Sequence, residues 1–187
     1  MKKFMILAFA TLALSASAFA SEDMVLDFAV NSVSNVAPLD LINWKVGDTM
    51  DYNMSMMGFP LGTMKKFVAK DEGSALWMQQ DISMMGQAQK VEVLIQKSDA
   101  KILKILQNGK EVAVPDDKPE IISQEYVEVS VAAGKFESIH IVAKTKEGQM
   151  EMWMNPSVTC MDGSLKVIAP SPLGKITMEL TKFNKQQ

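Results

Sequence analysis

The chain has 187 residues, of which 48% are hydrophobic, and its 22 acidic and 19 basic side chains give a net charge of −3. Every basic residue is lysine, so the guanidinium fork that reads phosphates and guanine bases is missing, and an acidic, arginine-free chain is a poor nucleic-acid binder. The single cysteine, Cys160, excludes an internal disulfide.

The first residues have the pattern of an export signal. Two lysines precede an apolar run (4–14) that is too short to span a bilayer, and Ala18-Phe19-Ala20 is the small-x-small pattern that signal peptidase cleaves. Residue 21 is serine rather than the cysteine that a lipid anchor requires. We therefore expect a signal peptide over 1–20 and a single β-rich domain over 21–187, periplasmic or secreted, with no transmembrane segment.

Residues 21–36 are predicted to form a helix. Ser21 can cap it, two acidic residues follow in the first turn, and Val25, Phe28 and Ala29 recur at helical spacing. Pro38 ends the helix.

From Trp44 onward apolar and polar residues alternate, which indicates β-strands. In TMDYNMSMM (49–57) the residues at even positions share one face. GFPLG is expected to turn the chain, and Asn108-Gly109 is the strongest hairpin signal because both residues tolerate a positive φ. The loop VPDDKPE (114–120) is expected to mark the middle of the sheet. Ten strands are predicted: 49–57, 63–70, 75–85, 90–96, 101–107, 125–131, 136–145, 149–154, 164–169 and 175–183.

Ten short strands with tight turns and one apolar face predict a mainly β fold. The predicted architecture is an antiparallel meander that forms a curved, partly open barrel, with the one N-terminal helix as its cover. A closed barrel and a two-sheet sandwich are the alternatives.

Four segments carry a family resemblance. WKVGDTMDY (44–52) is similar to an opening strand, VSVAAGKFESIHI (129–141) to a V-x-V-x-A-G-x-F…H hairpin, MWMNPSV (152–158) to the tryptophan strand after it, and GSLKV (163–167) to a closing element. Together they resemble exported bacterial β-rich proteins of unknown function, the DUF3108-like proteins. Ala132 stands where those proteins usually have a proline. The resemblance implies a β-barrel-like fold in the cell envelope and no known catalytic residues.

The residue types that build common catalytic sites are scarce. His140 and Cys160 are the only residues of their kinds, whereas zinc sites use several His and Cys ligands. Ser138 and His140 share a strand face roughly 6.5–7 Å apart, too far for a nucleophile–base hydrogen bond. No phosphate loop, nucleophile elbow or dinucleotide fingerprint occurs. We therefore expect a non-enzymatic protein without a cofactor, while a carboxylate pair assembled in space stays an open alternative.

The unusual feature is the methionine content: 14 of the 16 methionines follow the predicted signal peptide, and most of these fall in three clusters. Methionine is flexible and polarizable, so a methionine-lined cavity adapts to apolar ligands such as acyl chains. The leading prediction is an apolar or lipid-like ligand held in a half-open barrel, with Tyr52 and Gln80 as polar contacts at its mouth. The predicted ligand-binding residues are Met50, Tyr52, Met54, Met56, Met78, Met84, Met150, Met152 and Met154.

Two other functions are open at this point. A chain that uses methionine as an ordinary core residue would be a structural or interaction module of the envelope, which binds a protein partner by an exposed face or sheet edge. Thioethers also select Cu(I), and the candidate copper ligands are Met150, Met152, His140 and Cys160. An internal cavity favours the carrier, and a filled core with an exposed apolar patch favours the interaction module.

Overall fold

The computed structural model describes residues 44–114 and 119–186. The predicted signal peptide and the predicted helix over 21–36 lie outside these residues. The described chain forms eleven strands: β1 Thr49–Met56, β2 Phe59–Asp71, β3 Ala75–Met84, β4 Gln87–Gln96, β5 Ile102–Gln107, β6 Lys110–Val112, β7 Glu120–Val131, β8 Gly134–Lys144, β9 Gln149–Met154, β10 Ser164–Ser171 and β11 Gly174–Asn184.

All eleven strands belong to one antiparallel sheet in the order β6-β5-β4-β3-β2-β1-β11-β10-β9-β8-β7. The prediction of a mainly β antiparallel meander is confirmed. The two-sheet sandwich and the closed barrel are wrong, because within the described residues β6 and β7 end the sheet without pairing with each other.

One face of the sheet is the core, and its residues follow the period of two. Met50, Tyr52 and Met54 on β1 are buried, while Asp51 and Asn53 between them face the other way. The register continues this row of buried side chains across the centre of the sheet, where Met54 pairs with Met178, Met178 with Val167, and Val167 with Met152.

The turns agree with the sequence at one predicted hairpin and differ at another. Asn108 and Gly109 have φ of 51° and 80°, as predicted for the β5–β6 turn. The β1–β2 turn is Met57-Gly58 rather than GFPLG, with φ of 52° and 83°. Residues 59–62 are the start of β2 instead, because a bulge beside Met54 accommodates them in the strand.

Three further differences concern the strands at the sheet edges. The three-residue strand β6 was not predicted, since so short a run carries no periodicity. β7 begins at Glu120 rather than at 125. The connection over 113–119 joins the two edge strands, so the prediction that it marks the middle of the sheet is wrong. The middle is the β1–β11 pair, because the first and last strands bond to each other.

The sheet curls so that the β7–β8 turn reaches β11. The backbone N–H of Ala133 donates to the carbonyl oxygen of Leu180 at 3.0 Å. Phe136 packs edge-on against Phe183 with ring centroids 6.3 Å apart. This contact adds a second layer over one half of the core.

Gly62 provides a test of the close approach between β2 and β3. A Cβ atom at this position would collide with the carbonyl oxygen of Ser83 and lie 2.9 Å from Cα of Met84. We expect Gly62→Ala to lower the free energy of unfolding by about 3 kcal/mol, the upper range for overpacking. Urea denaturation measures the change. Thr63→Ala, at the exposed next residue, should cost less than about 1 kcal/mol, and equal losses would contradict the close approach.

Candidate functional site

The predicted ligand-binding methionines do share the core face. Met50, Met54, Met78, Met84, Met150, Met152 and Met154 are buried there, and Met56 is half-buried at the end of β1. Met64, Met161 and Met178 join them in the same core cluster. The side chains pack against one another, and the role of these methionines in ligand binding stays a prediction.

Tyr52 and Gln80 lie in the core rather than at a mouth, and both are fully buried. The hydroxyl group of Tyr52 donates to the carbonyl oxygen of Ser164 at 3.0 Å. Burial raises the pKa of Tyr52 well above its ordinary value, and the nearby Asp162 carboxylate raises it further. The phenol therefore stays protonated and serves as a hydrogen-bond donor inside the sheet.

A buried ion pair lies beside Tyr52. Nζ of Lys66 on β2 is 2.7 Å from Oδ2 of Asp162, and both side chains are 0% exposed. The same carboxylate oxygen accepts from Oγ of Ser164 at 2.9 Å. The ammonium group also lies 5.7 Å from the centre of the Tyr52 ring. The four side chains form a polar cluster enclosed by the methionine core.

This polar cluster connects the β9–β10 loop (155–163) to the sheet. Asp162 belongs to the loop and Lys66 to β2, 96 residues earlier in the sequence. Two desolvated charges are tolerated only as a well-bonded pair. The loop is therefore held in the position that brings the Asp162 carboxylate to the Lys66 ammonium group. Since neither charged group reaches solvent, the cluster is suited to holding the loop rather than to reacting with a substrate.

Sequence reasoning missed Lys66 and Asp162. Lys66 stands between Met64 and Val68 on the apolar face of its strand, and a lysine at such a position was a readable sign of a buried pair. Asp162 lies in an irregular loop and carried no such sign.

The candidate copper ligands lie on different faces of the sheet. His140 stacks on Trp153 on the outer face, with ring centroids 4.2 Å apart, and its Nδ1 is 3.1 Å from Oε1 of Glu125. Met150 and Met152 alternate with Trp153 and lie on the core face. Within residues 44–114 and 119–186, no group of three His, Cys, Asp or Glu side chains could hold a metal ion.

Cys160 is buried against backbone. Its Sγ lies 3.4 Å from the carbonyl oxygen of Thr49 and 3.7 Å from that of Asn184. Burial raises the pKa of this thiol from 9.0 to about 12, with smaller contributions from Asp48 and Asp162. The thiol is therefore protonated at neutral pH and is a poor nucleophile.

The outer face carries a shallow groove of about 560 Å³ across β11 and β1 to β4. Four charged residues on β1 to β4 line it with alternating sign, in the order Asp51, Lys65, Asp81 and Lys90. Small polar residues such as Thr63 and Ser83 also line it. The charges balance within the row, so the groove has no net preference for an anion or a cation.

The two ends of the sheet differ in length and chemistry. β6 has three residues, two of them charged, which makes it a short and protected edge. β7 has twelve residues and is exposed along nearly its whole length. Ile121, Ile122 and Tyr126 are exposed on it, and Tyr126 reaches 82%. In the part of the chain that the structure describes, no strand pairs with the outer side of β7.

Comparison with known proteins gives similarities of fold alone. No family model and no curated protein matches the chain, so the resemblance to DUF3108-like proteins is not confirmed. MucB in a crystal structure with MucA(peri) is similar, at 16% identity over 84% of this chain and 56% of that chain, with a TM-score of 0.48. The Pseudomonas aeruginosa MucA/MucB complex gives 14% identity, the same coverages and a TM-score of 0.49.

The hypothetical protein CT021 from Chlamydia trachomatis is similar at 10% identity over 76% of this chain and 88% of that chain, with a TM-score of 0.49. Of the MucB chain in the two complexes above, this chain spans little more than half. The TM-scores are below 0.5, so the function of this chain has to be inferred from its own residues. Among the described residues, no helix is long and apolar enough to cross a membrane.

The buried pair predicts a non-additive double mutant. Lys66→Met and Asp162→Asn should each lower the free energy of unfolding by about 3–5 kcal/mol, because each leaves one buried charge unpaired. The double variant should lose much less than the sum, since both charges are gone. Urea denaturation at pH 7 measures all three. Lys104→Met breaks the exposed Lys104–Glu111 pair, whose side chains are 38% and 65% exposed, and should change stability by under about 1 kcal/mol.

The raised pKa of Cys160 predicts a protected thiol. At pH 8 the native protein should react with an aromatic disulfide reagent roughly a thousandfold more slowly than the urea-unfolded chain, because about three pKa units separate the two thiols. Because the thiol holds its proton more tightly in the folded state, it contributes to the free energy of unfolding. This contribution is complete below pH 9 and is lost as the pH rises towards 12. Equal rates for native and unfolded protein would show that the thiol is accessible and ionised.

Proposed function

We propose that this protein is a non-catalytic, exported interaction module of the bacterial envelope, which binds an extended segment of a partner protein along β7. The observation that carries the proposal is the long, open edge of β7, on which three large apolar side chains are exposed. Export is supported by the signal-peptide pattern of residues 1–20.

An open edge strand is a template for strand addition, and most proteins block it. The usual devices are lysine or proline on the edge strand, short length, or a covering element. β7 contains no lysine and no proline. At the other end of the same sheet, β6 is only three residues long. Charge does not separate the two edges, because β7 carries three glutamates, so the contrast is one of length and exposed apolar side chains. The difference between the two edges favours a binding role for β7.

The β7 strand is held firmly from its inner side, so it is preformed for binding. β8 pairs with it from Glu120 to Val131. Oγ of Ser138 donates to the carbonyl oxygen of Val127 at 2.8 Å, and Lys135 forms an ion pair with Glu128 at 2.6 Å. A strand fixed before binding loses little conformational entropy when a partner adds to it.

The side chains of β7 indicate the chemistry of the partner. Ile121, Ile122 and Tyr126 offer apolar contacts, while Glu120, Glu125 and Glu128 leave the strand with three acids and no base. Two copies of β7 would repel each other, because like charges on paired strands are destabilising. The edge therefore favours an extended, apolar to basic segment of another protein.

The apolar-ligand hypothesis receives less support from this chain. The methionines are packed together, and the groove of about 560 Å³ lies on the polar outer face. The polar cluster at Lys66 occupies the middle of the core face where a ligand was predicted.

Site-specific photocrosslinking tests the proposal. A benzophenone amino acid at position 126 should crosslink in intact cells to one envelope protein. The same group at Lys104 of β5, whose side chain is 38% exposed, should not. The crosslinked segment, made as a peptide, should then slow amide hydrogen exchange along β7, because strand addition protects backbone N–H groups.

Single-residue controls separate strand addition from other contacts. Tyr126→Lys should weaken peptide binding at least tenfold, since a charged edge residue opposes pairing. Lys104→Met should leave binding unchanged. Protection located on the outer face or at the hairpin tips instead of β7 would overturn the proposal.

A further inference from the structure

Three hairpin tips at one end of the sheet carry exposed apolar side chains. These apolar tips are the β1–β2, β3–β4 and β10–β11 turns, which the alternating strand directions place at the same end. The exposed fractions are 82% for Met57, 75% for Phe59, 56% for Met85 and 46% for Leu173. Large exposed apolar side chains thus recur on three neighbouring tips, and such a concentration of exposed apolar surface typically marks a binding surface.

The opposite end of the sheet has hairpin turns of another kind. The β2–β3 turn is Asp71-Glu72-Gly73-Ser74, and the β4–β5 turn contains Ser98 and Asp99. Exposed apolar residues there are Val46 and Val158, which lie in loops outside these hairpins. Two further turns share the end that carries the apolar tips, Asn108-Gly109 between β5 and β6 and the 145–148 turn between β8 and β9, and both are polar. Among the hairpin turns at this end, the exposed apolar side chains are thus confined to three neighbouring ones.

The backbone of two apolar tips is strained by its own sequence. Met57 and Met85 have φ of 52° and 51°, in the left-handed region that Asn and Gly occupy at lower cost. The same chain uses Asn at the equivalent place, Asn108. Met57 is 82% and Met85 56% exposed, so packing within the fold offsets little of this strain. The strain therefore points to another role for the two side chains.

The spacing and charge of the apolar tips suit a flat, anionic layer. Neighbouring tips are two strands apart, about 10 Å, so the three form a row roughly 20 Å long. No acidic residue occurs in 55–61, 84–90 or 171–175, and Lys90 and Lys175 follow two of the tips. Each lysine also approaches a glutamate, Glu92 or Glu151 respectively. Separate protruding tips can enter a lipid interface together, with the lysines level with the headgroups.

We propose that the apolar tips insert into the surface of a lipid bilayer and hold the protein at the membrane. The inserted residues are Met57, Phe59, Met85 and Leu173, none of which belongs to β7. This binding is independent of the partner that β7 takes, so either function can fail without the other.

Vesicle sedimentation with the full-length exported protein tests the inference. The probe is a 3:1 mixture of phosphatidylethanolamine and phosphatidylglycerol, and the variant is Met57→Asn with Met85→Asn. We expect the variant to bind vesicles at least tenfold more weakly, because two apolar side chains no longer enter the bilayer. Its melting temperature should be equal or higher, because Asn relieves the backbone strain. A loss of binding with retained stability cannot be attributed to misfolding.

The control variant is Tyr126→Ser, which removes an equally exposed apolar side chain from β7 and should bind vesicles like the wild type. Wild-type protein that does not sediment with vesicles overturns the inference. So does a double-Asn variant that binds as tightly as the wild type, which would indicate attraction by lysines alone. A photocrosslinker at position 57 that reacts with a protein instead of lipid would assign the apolar tips to a protein partner and also overturn it.

Discussion

Pairing of the first strand with the last strand determines the rest of this structure. β1 lies between β2 and β11, and Oγ1 of Thr181 donates to the carbonyl oxygen of Asp51 across 130 residues of sequence. The backbone N–H of Gln186 donates to Oδ1 of the Asp48 side chain at 2.8 Å. Because β1 and β11 occupy the centre, the edges must come from the middle of the sequence. That requirement exposes β7, and it places three hairpin tips side by side at one end.

The polar cluster gives a methionine-rich core a definite arrangement. Methionine fills irregular space well, but its flexibility specifies neighbouring positions weakly. Lys66 and Asp162 impose a stricter condition, since a desolvated charge is tolerated only next to its partner. The β9–β10 loop therefore has one acceptable position against β2. The core combines adaptable packing with one directional contact, and the directional contact decides where the loop lies.

Alternation predicted most of the strands because it is a local property of the sequence. TMDYNMSMM was assigned correctly to a strand with Met50, Tyr52 and Met54 on one face, and Asn108-Gly109 to a hairpin. The pairing of β1 with β11 has no local signal, so the order of strands and the identity of the edges were not predictable. The methionines at 57 and 85 break the alternation, because each directly follows another methionine, and each precedes a glycine. A local sign of these turns was therefore present and was missed. The burial of Lys66 could have been predicted from its place on an apolar strand face, whereas the burial of Asp162 in an irregular loop could not.

Because β1 pairs with β11 at the centre, the order of the strands in the sheet differs from their order in the chain. Read from β7 through β11 to β1 and on to β6, the sheet is a meander in which all neighbouring strands are also consecutive in the sequence, except at one place. That place is the junction of Asp48 with Gln186. A chain cut in the 113–119 connection and joined across this junction would pass through the strands in their spatial order. All its pairings would then be local, and folding would no longer have to bring together strands from opposite ends of the domain. In the natural chain the pairing of β1 with β11 is expected to be the slow step of folding, because the two strands are far apart in the sequence. Both arrangements would contain the same sheet and the same core, so this difference in rate would come from the order of the strands in the chain alone.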